Sequence, residues 1–299
     1  MNDHTLNGLI RGFIPNRSRR GTCGIKLLAA GLHFFVAGAL GFRISWAVVP
    51  DGPFHSCMRA LFPATHLHRY RARLDAPDSV DVVFLDSGSC PDPLSGLWTT
   101  RRVPAIVGGE LPPRWAVMWP AGWQVFTRSF SHSSIGGSTD GVHWLTLLVP
   151  VELALSWELP PALDVQPWIP VSGSVDPLLS GSFVDSPEPP TSPQAIVDLR
   201  DGLVAPFGLF PSGAVSSLVI CRCVRNKPSY YCVRRLEPKE LANLWDVPLL
   251  VQEYATGLNL SPLLTAFLGT VPGKTLLLGS DFLLANFLRG GVVLRYGAC

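Results

Sequence analysis

Charge is scarce in this chain. Only 15% of its 299 residues are Asp, Glu, Lys or Arg, and 47% are apolar. That balance excludes a disordered polyelectrolyte, which cannot bury enough apolar area to fold. Cysteine is also sparse: Cys23, Cys57, Cys90, Cys221, Cys223, Cys232 and Cys299 are odd in number and irregularly spaced. They do not form a secreted disulfide framework, so buried free thiols in the reducing cytoplasm or nucleus are expected. No apolar run reaches the ~18 residues of a membrane-spanning helix, which excludes a polytopic membrane protein. Stretches free of helix breakers are few, since 28 Gly and 28 Pro punctuate the chain. A helix bundle or coiled coil is therefore excluded. No internal repeat at a fixed period is present.

The few charges are unevenly placed. Residues 1–74 hold ten Lys/Arg and two Asp, residues 75–199 hold four Arg and fourteen acids, and residues 200–299 hold ten Lys/Arg and six acids. No Lys or Arg lies between Arg128 and Arg200. Two readings follow: basic ends for a polyanionic partner, or an acidic middle that packs on the basic arms. Near the start, Arg11, Arg17, Arg19, Arg20 and Lys26 precede an apolar run, Leu27–Phe42, broken only by His33. Sixteen helical residues would reach roughly 24 Å, short of the ~30 Å hydrocarbon core. The run reads as a buried helix. A targeting segment or membrane contact through residues 27–42 is the alternative.

Beyond it the chain reads as strands. Val80–Leu85, Trp115–Trp119, Trp123–Thr127 and His143–Val151 are rich in β-branched or aromatic residues. Pro120-Ala121-Gly122 suggests a hairpin turn. Ser172–Gln194, with five Pro and six Ser, reads as a linker or long loop. Ala195–Leu199, Leu203–Leu209, Ala214–Val224 and Tyr230–Val233 are again strand-like. Pro238–Asp246 reads as a helix, with Pro at its first turn, Leu241, Leu244 and Trp245 on one face and Pro248 beyond. Ser280–Leu288 suggests a second. The expected fold is β-rich α+β, a turn-rich strand region followed by a mixed α/β C-terminal region. The expected divisions are 1–74, 75–171, a 172–194 linker and 195–299.

Several constellations carry candidate chemistry. Asp86-Ser87-Gly88 ends an apolar strand and resembles the active-site loop of aspartic proteases. Thr275–Leu283 is similar to a segment of retroelement proteases. The resemblance implies a catalytic Asp86, but the second Asp-Thr/Ser-Gly is lacking; Asp198 is followed by Leu199 and Arg200. The plain alternative is an Asp-Ser-Gly turn. Gly273-Lys274-Thr275 ends like a phosphate-binding loop, but Gly269 stands one residue too close. His55, Cys57, His66 and His68 form two pairs at spacing two, a possible tetrahedral set for zinc if both pairs lie on strands. Arg59, Arg69 and Arg71 crowd them with positive charge. His132, Ser138 and Asp140 suggest a Ser-His-Asp triad without the nucleophile elbow, and Gly136-Gly137 could offer amides to an anion. Arg69, Arg71 and Arg73 flank Tyr70; Arg222, Arg225, Arg234 and Arg235 flank Tyr230 and Tyr231. Arg can neutralise phosphates and Tyr can stack on bases, so these are the candidate single-stranded nucleic-acid contacts.

Ser131–Gly141 and Val233–Pro248 together resemble segments in mobile-element reading frames of protists, of the kind that also encode reverse transcriptase or recombinase. The resemblance implies a context, not an activity, because neither segment is a catalytic motif. The sequence thus points to a non-catalytic accessory protein of mobile-element origin that contacts nucleic acid through basic arms. An aspartic-protease-like protein and a membrane-anchored protein are the alternatives. No cofactor is expected, and the oligomeric state is left open.

Overall fold

The computed structural model describes residues 21–69, 80–89, 103–109, 111, 122–132, 135, 137, 139, 141–151, 184–186, 196–199, 219–224 and 227–294. Its centre is a sheet of seven strands in the order β3-β2-β1-β4-β5-β7-β6. The strands are β1 (Gly21–Lys26), β2 (Phe42–Val49), β3 (His66–Arg69), β4 (Val82–Asp86), β5 (Ala105–Gly108), β6 (Trp123–Ser131) and β7 (Val142–Pro150). The first five run parallel. Strand β7 is antiparallel to both neighbours, β5 and β6, so β6 again runs with the first five. Helices and strands are mixed, as the expected α+β class requires, but the main sheet is mostly parallel, which gives a mixed α/β architecture rather than a turn-rich strand region followed by a separate mixed region. The sheet also takes strands from both sides of residue 74.

Parallel pairing explains the near-continuous apolar composition of β4 and β5, since both faces of such a sheet are covered. Alternation then sorts the side chains. Val82, Phe84, Ile106, Leu145, Leu147 and Val149 enter one large core. Leu85, Ala105, Val107 and Leu148 enter a smaller one with Val83, Trp123 and Val125. The large core is roofed by α1 (His33–Ala39), α2 (Pro53–Leu61), α3 (Pro238–Leu244), α4 (Leu249–Gly257), α5 (Ser261–Ala266) and α6 (Gly273–Leu294). Edge-to-face rings tie the roof together, with Phe54 of α2 against both Phe34 of α1 and Phe267. Helix α6 comes close to β6 and β7 at Gly279, where a Cβ would run into Leu145 and the Phe130 ring.

Only His33–Ala39 of the apolar run is helical; the rest is the β1–α1 connection and the start of β2. Apart from exposed Leu28 and Ala29 most of the run is buried, because α1 packs on the large core, and no single helix among the described residues is long and apolar enough to cross a membrane. The expected Trp115 strand lies outside the described residues, and β6 forms its hairpin with β7 instead. A second sheet, β8-β11-β10-β9, comprises β8 (Val184–Ser186), β9 (Ile196–Leu199), β10 (Val219–Val224) and β11 (Lys227–Arg235). Leu203–Leu209 and most of 172–194 lie outside the described residues.

Candidate functional site

Order reverses at β1: the chain proceeds outward through α1 to β2 and β3, then returns to β4 on the other side. In open α/β sheets, ligands bind at the carboxyl ends of the strands flanking such a switch. A cavity of about 570 Å³ lies there. It is bounded by Leu28 and Ala29 after β1, Asp86–Gly88 after β4 and Gly108-Gly109 after β5. His143 at the start of β7 closes one side, and Trp245 with Leu268–Val271 closes the top. Pockets of this size suit a small organic ligand or cofactor.

Asp86 organises the floor. Its Oδ2 accepts from the amides of Leu28 at 2.7 Å and Ala29 at 2.9 Å, and its Oδ1 accepts from Ser89 N at 2.7 Å. The Ser89 hydroxyl donates to Lys26 O at 2.6 Å, so the β4 turn is tied to the end of β1. Gly109, at φ +114°, lets the β5 loop approach Ser87 and donates its N–H to Trp144 O at 2.9 Å. A side chain there would be strained, and its Cβ would lie 2.8 Å from Ser87 Oγ.

Two imidazoles face this cavity. His33 is 1% exposed, its Nε2 lies 3.1 Å from Leu85 O, and its Nδ1 has no hydrogen-bond partner. Burial pushes its pKa down to about 4, against the opposing pull of Asp86 and the Leu85 carbonyl. His143 has an unpartnered Nε2. Burial and then the neighbouring His132 push it down to about 4 as well. Both rings are neutral near pH 7, each able to offer a donor or an acceptor.

Behind His143, a buried network joins three distant segments. His132 Nδ1 lies 2.6 Å from Thr139 Oγ1, and its Nε2 lies 2.9 Å from Asp246 Oδ2. Asp246 also accepts from Lys274 N at 3.0 Å, at the start of α6, and pairs with Lys274 Nζ at 3.4 Å. The expected His132 triad with Ser138 and Asp140 is thus replaced by Thr139 and Asp246; Ser138 and Asp140 lie outside the described residues. His132 and Thr139 are fully buried, so this is a structural brace. Gly137 belongs to it: its N–H donates to His132 O at 2.7 Å, and a Cβ would collide with the His132 ring. Lys274 and Thr275 belong to the first turn of α6, not to a phosphate loop.

The other candidates are dispersed. His55 and Cys57 lie on helix α2, not on a strand, while His66 and His68 lie on β3. No group of three or more metal-binding side chains occurs among the described residues. Cys57 is buried, and burial pushes its thiol up to about 12. Arg69 is exposed and pairs with Asp51 at 3.3 Å. Arg71, Arg73 and Arg225 lie outside the described residues. Arg222 is on β10; Tyr230 and Tyr231 are on β11. Arg234 is not a surface contact: it is buried and bidentate to Glu240, at 2.8 and 2.6 Å. Arg235 is exposed.

Asp86 was legible as a fixed carboxylate, but its partners are backbone amides rather than a second carboxylate. Asp198, the nearest candidate for that second loop, lies on β9 of the other sheet. His33 and His143 carry no local signal, because only the sheet order brings α1 and β7 to the same crevice.

No family model matches the chain, and no curated protein matches it in sequence. Solved structures do match. A triple-alanine variant of Spodoptera frugiperda DNMT2 has a TM-score of 0.57 at 10% identity, covering 88% of this chain and 99% of that one. A prophage-encoded Escherichia coli protein described as a DNA modification methyltransferase has a TM-score of 0.52 at 12% identity, covering 92% and 99%. The likeness is to methyltransferases over nearly the whole chain. It overturns the expected mobile-element accessory protein, the aspartic protease around Asp86 and the membrane-anchored alternative. At these identities it establishes the fold: the chain has a methyltransferase-type α/β fold.

Proposed function

We propose that this protein is a methyltransferase that uses S-adenosylmethionine and acts on nucleic acid. The observation that carries the reading is the chemistry of the switch-point cavity. Asp86 is its one formally charged lining residue among those described, and no Lys or Arg lines it. A dinucleotide or nucleotide triphosphate would bring anionic phosphates against that carboxylate. S-adenosylmethionine brings a sulfonium cation and no phosphate. The unpartnered nitrogens of His33 and His143 suit the polar edge of a nucleoside. The residues present therefore fit this group.

Each element then has a task. The β1–α1 loop at Leu28 and Ala29, fixed by Asp86, shapes one wall. Asp86, itself largely buried, supplies negative potential to the crevice. Trp245 donates from Nε1 to Thr270 O at 2.8 Å, pinning the segment that lines the top of the cavity. Bound there, the cofactor supplies an electrophilic methyl group. The neutral His143 can accept at Nε2 a hydrogen bond from an N–H or O–H presented at its side of the crevice.

The nucleic-acid assignment rests on the name of the E. coli neighbour and on exposed cations, Arg69 and Arg235. Arg71, Arg73, Arg222, Arg225, Tyr230 and Tyr231 remain proposed contacts. The test is transfer of a labelled methyl group from S-adenosylmethionine to DNA and, in parallel, to RNA. Incorporation that is lost in Gly109→Val, which strains the cavity wall, supports the reading. Failure of the purified protein to bind S-adenosylmethionine in calorimetry would overturn it.

A further inference from the structure

The cavity is electrically one-sided, and the hydrogen bonds of Asp86 hold its carboxylate in one place. Its side chain is 8% exposed and cannot swing away, because three backbone N–H groups hold its two oxygens. No Lys or Arg among the described residues lines the cavity to neutralise it. The adjacent imidazole does not neutralise it either: burial holds His33 neutral down to a pKa of about 4. That imidazole, 1% exposed with its Nδ1 unpartnered, independently marks the crevice as built for a polar ligand.

We infer that Asp86 is a specificity-determining residue that distinguishes the charged methyl donor from the uncharged product left after transfer. The inference rests on the methyl-donor reading of the cavity. In methyl transfer the carbon–sulfur bond breaks and its electron pair stays on sulfur. A bond forms between that carbon and the acceptor atom, whose proton leaves to water. The sulfonium cation thereby becomes a neutral thioether. A fixed, largely buried carboxylate attracts the first and gains nothing comparable from the second. Asp86 thus favours loading of the donor and exchange of the spent product. The loop amides that it occupies are withdrawn from the ligand, so recognition here relies on charge rather than on a glycine-rich amide cradle.

The test compares S-adenosylmethionine with S-adenosylhomocysteine by titration calorimetry on the full chain, wild type and Asp86→Asn. The wild type should bind the sulfonium about tenfold more tightly than the thioether. Asp86→Asn, which retains one oxygen for the loop amides, should bring the two affinities together. Should that variant fail to fold, the wild type decides with a third ligand: an analogue carrying an ammonium in place of the sulfonium should bind like the donor. Equal wild-type affinity for charged and neutral ligands overturns the inference while leaving the methyl-donor reading intact. An unchanged preference in folded Asp86→Asn also overturns it. Binding of none of the ligands removes both.

Discussion

His132 Nε2 and Asp246 Oδ2 lie 2.9 Å apart although 114 residues of chain separate them. Asp246 occupies the left-handed region at φ 57°, and its carboxylate also meets the first turn of α6 through Lys274. One side chain therefore fixes the end of β6, the turn after α3 and the start of the last helix.

Removing that carboxylate should be severe. Asp246→Ala takes the acceptor from the fully buried His132 and an ion-pair partner from Lys274, and should cost about 3–5 kcal/mol in urea denaturation at neutral pH. The acid limb has a definite sign. Burial pushes the Asp246 carboxyl up, but the His132 hydrogen bond and the electrostatic pull of His132 and Lys274 outweigh it, leaving it below its usual value. A depressed carboxyl stabilises the fold above the unfolded pKa, near 4. That contribution is lost as pH falls through the folded value. A folded Asp246→Asn should show a flatter acid limb below about pH 4.

His33 acts in a higher window. Its folded pKa of about 4 lies below the ordinary 6.5, so the unfolded chain takes up the proton first as pH falls. Stability should drop between pH 6.5 and 4, by on the order of 3 kcal/mol from this buried ring. His143 pulls in the same direction. Thermal melts across that window should show a shallower slope for His33→Gln than for the wild type.

Two glycines give opposite expectations. Gly279→Ala drives a Cβ into Leu145 and Phe130 and should cost about 1–3 kcal/mol. Gly257, near the end of α4, has open space around it. Gly257→Ala should be neutral or stabilise by up to ~1 kcal/mol. Chemical denaturation of the pair checks both.

Arg234 and Glu240 supply the fourth expectation. Glu240 accepts both guanidinium hydrogen bonds and also the Glu237 N–H at 2.8 Å, closing the cap of α3. Glu240→Ala should cost about 3–5 kcal/mol, because it strands a buried guanidinium. Exposed Arg235→Ala should leave the melting temperature nearly unchanged. Had Arg234 been a nucleic-acid contact, its removal would weaken binding without unfolding the chain.

Local pattern revealed individual elements but not their arrangement. Val82–Asp86, Val142–Pro150 and Pro238–Leu244 were readable because apolar composition and proline boundaries mark them. Strand β1 was missed: Gly21-Thr22-Cys23-Gly24-Ile25-Lys26 contains two glycines and little β-branched bulk. Gly24 is needed there, since a Cβ would collide with the Trp46 indole. With β1 hidden, the alternation of strand and helix at the start of the chain was hidden too. The apolar run consequently looked like one long helix. At the site, Asp86 was locally visible, whereas His33, His143 and Asp246 gain their meaning only from sheet order and long-range contact.

The position of α6 also bears on how the chain folds during synthesis. Leu276, Leu277, Leu283 and Leu284 complete the same core that α1, β4 and β7 enter in the first half of the sequence. A nascent chain that has not yet delivered Gly273–Leu294 must hold the Leu145 and Phe130 side of its sheet uncovered. Such surfaces attract other chains or chaperones while they wait. A ribosome stalled before Gly273 would therefore present a sticky, incompletely roofed intermediate, and release of this helix is the step that completes the roof over that core.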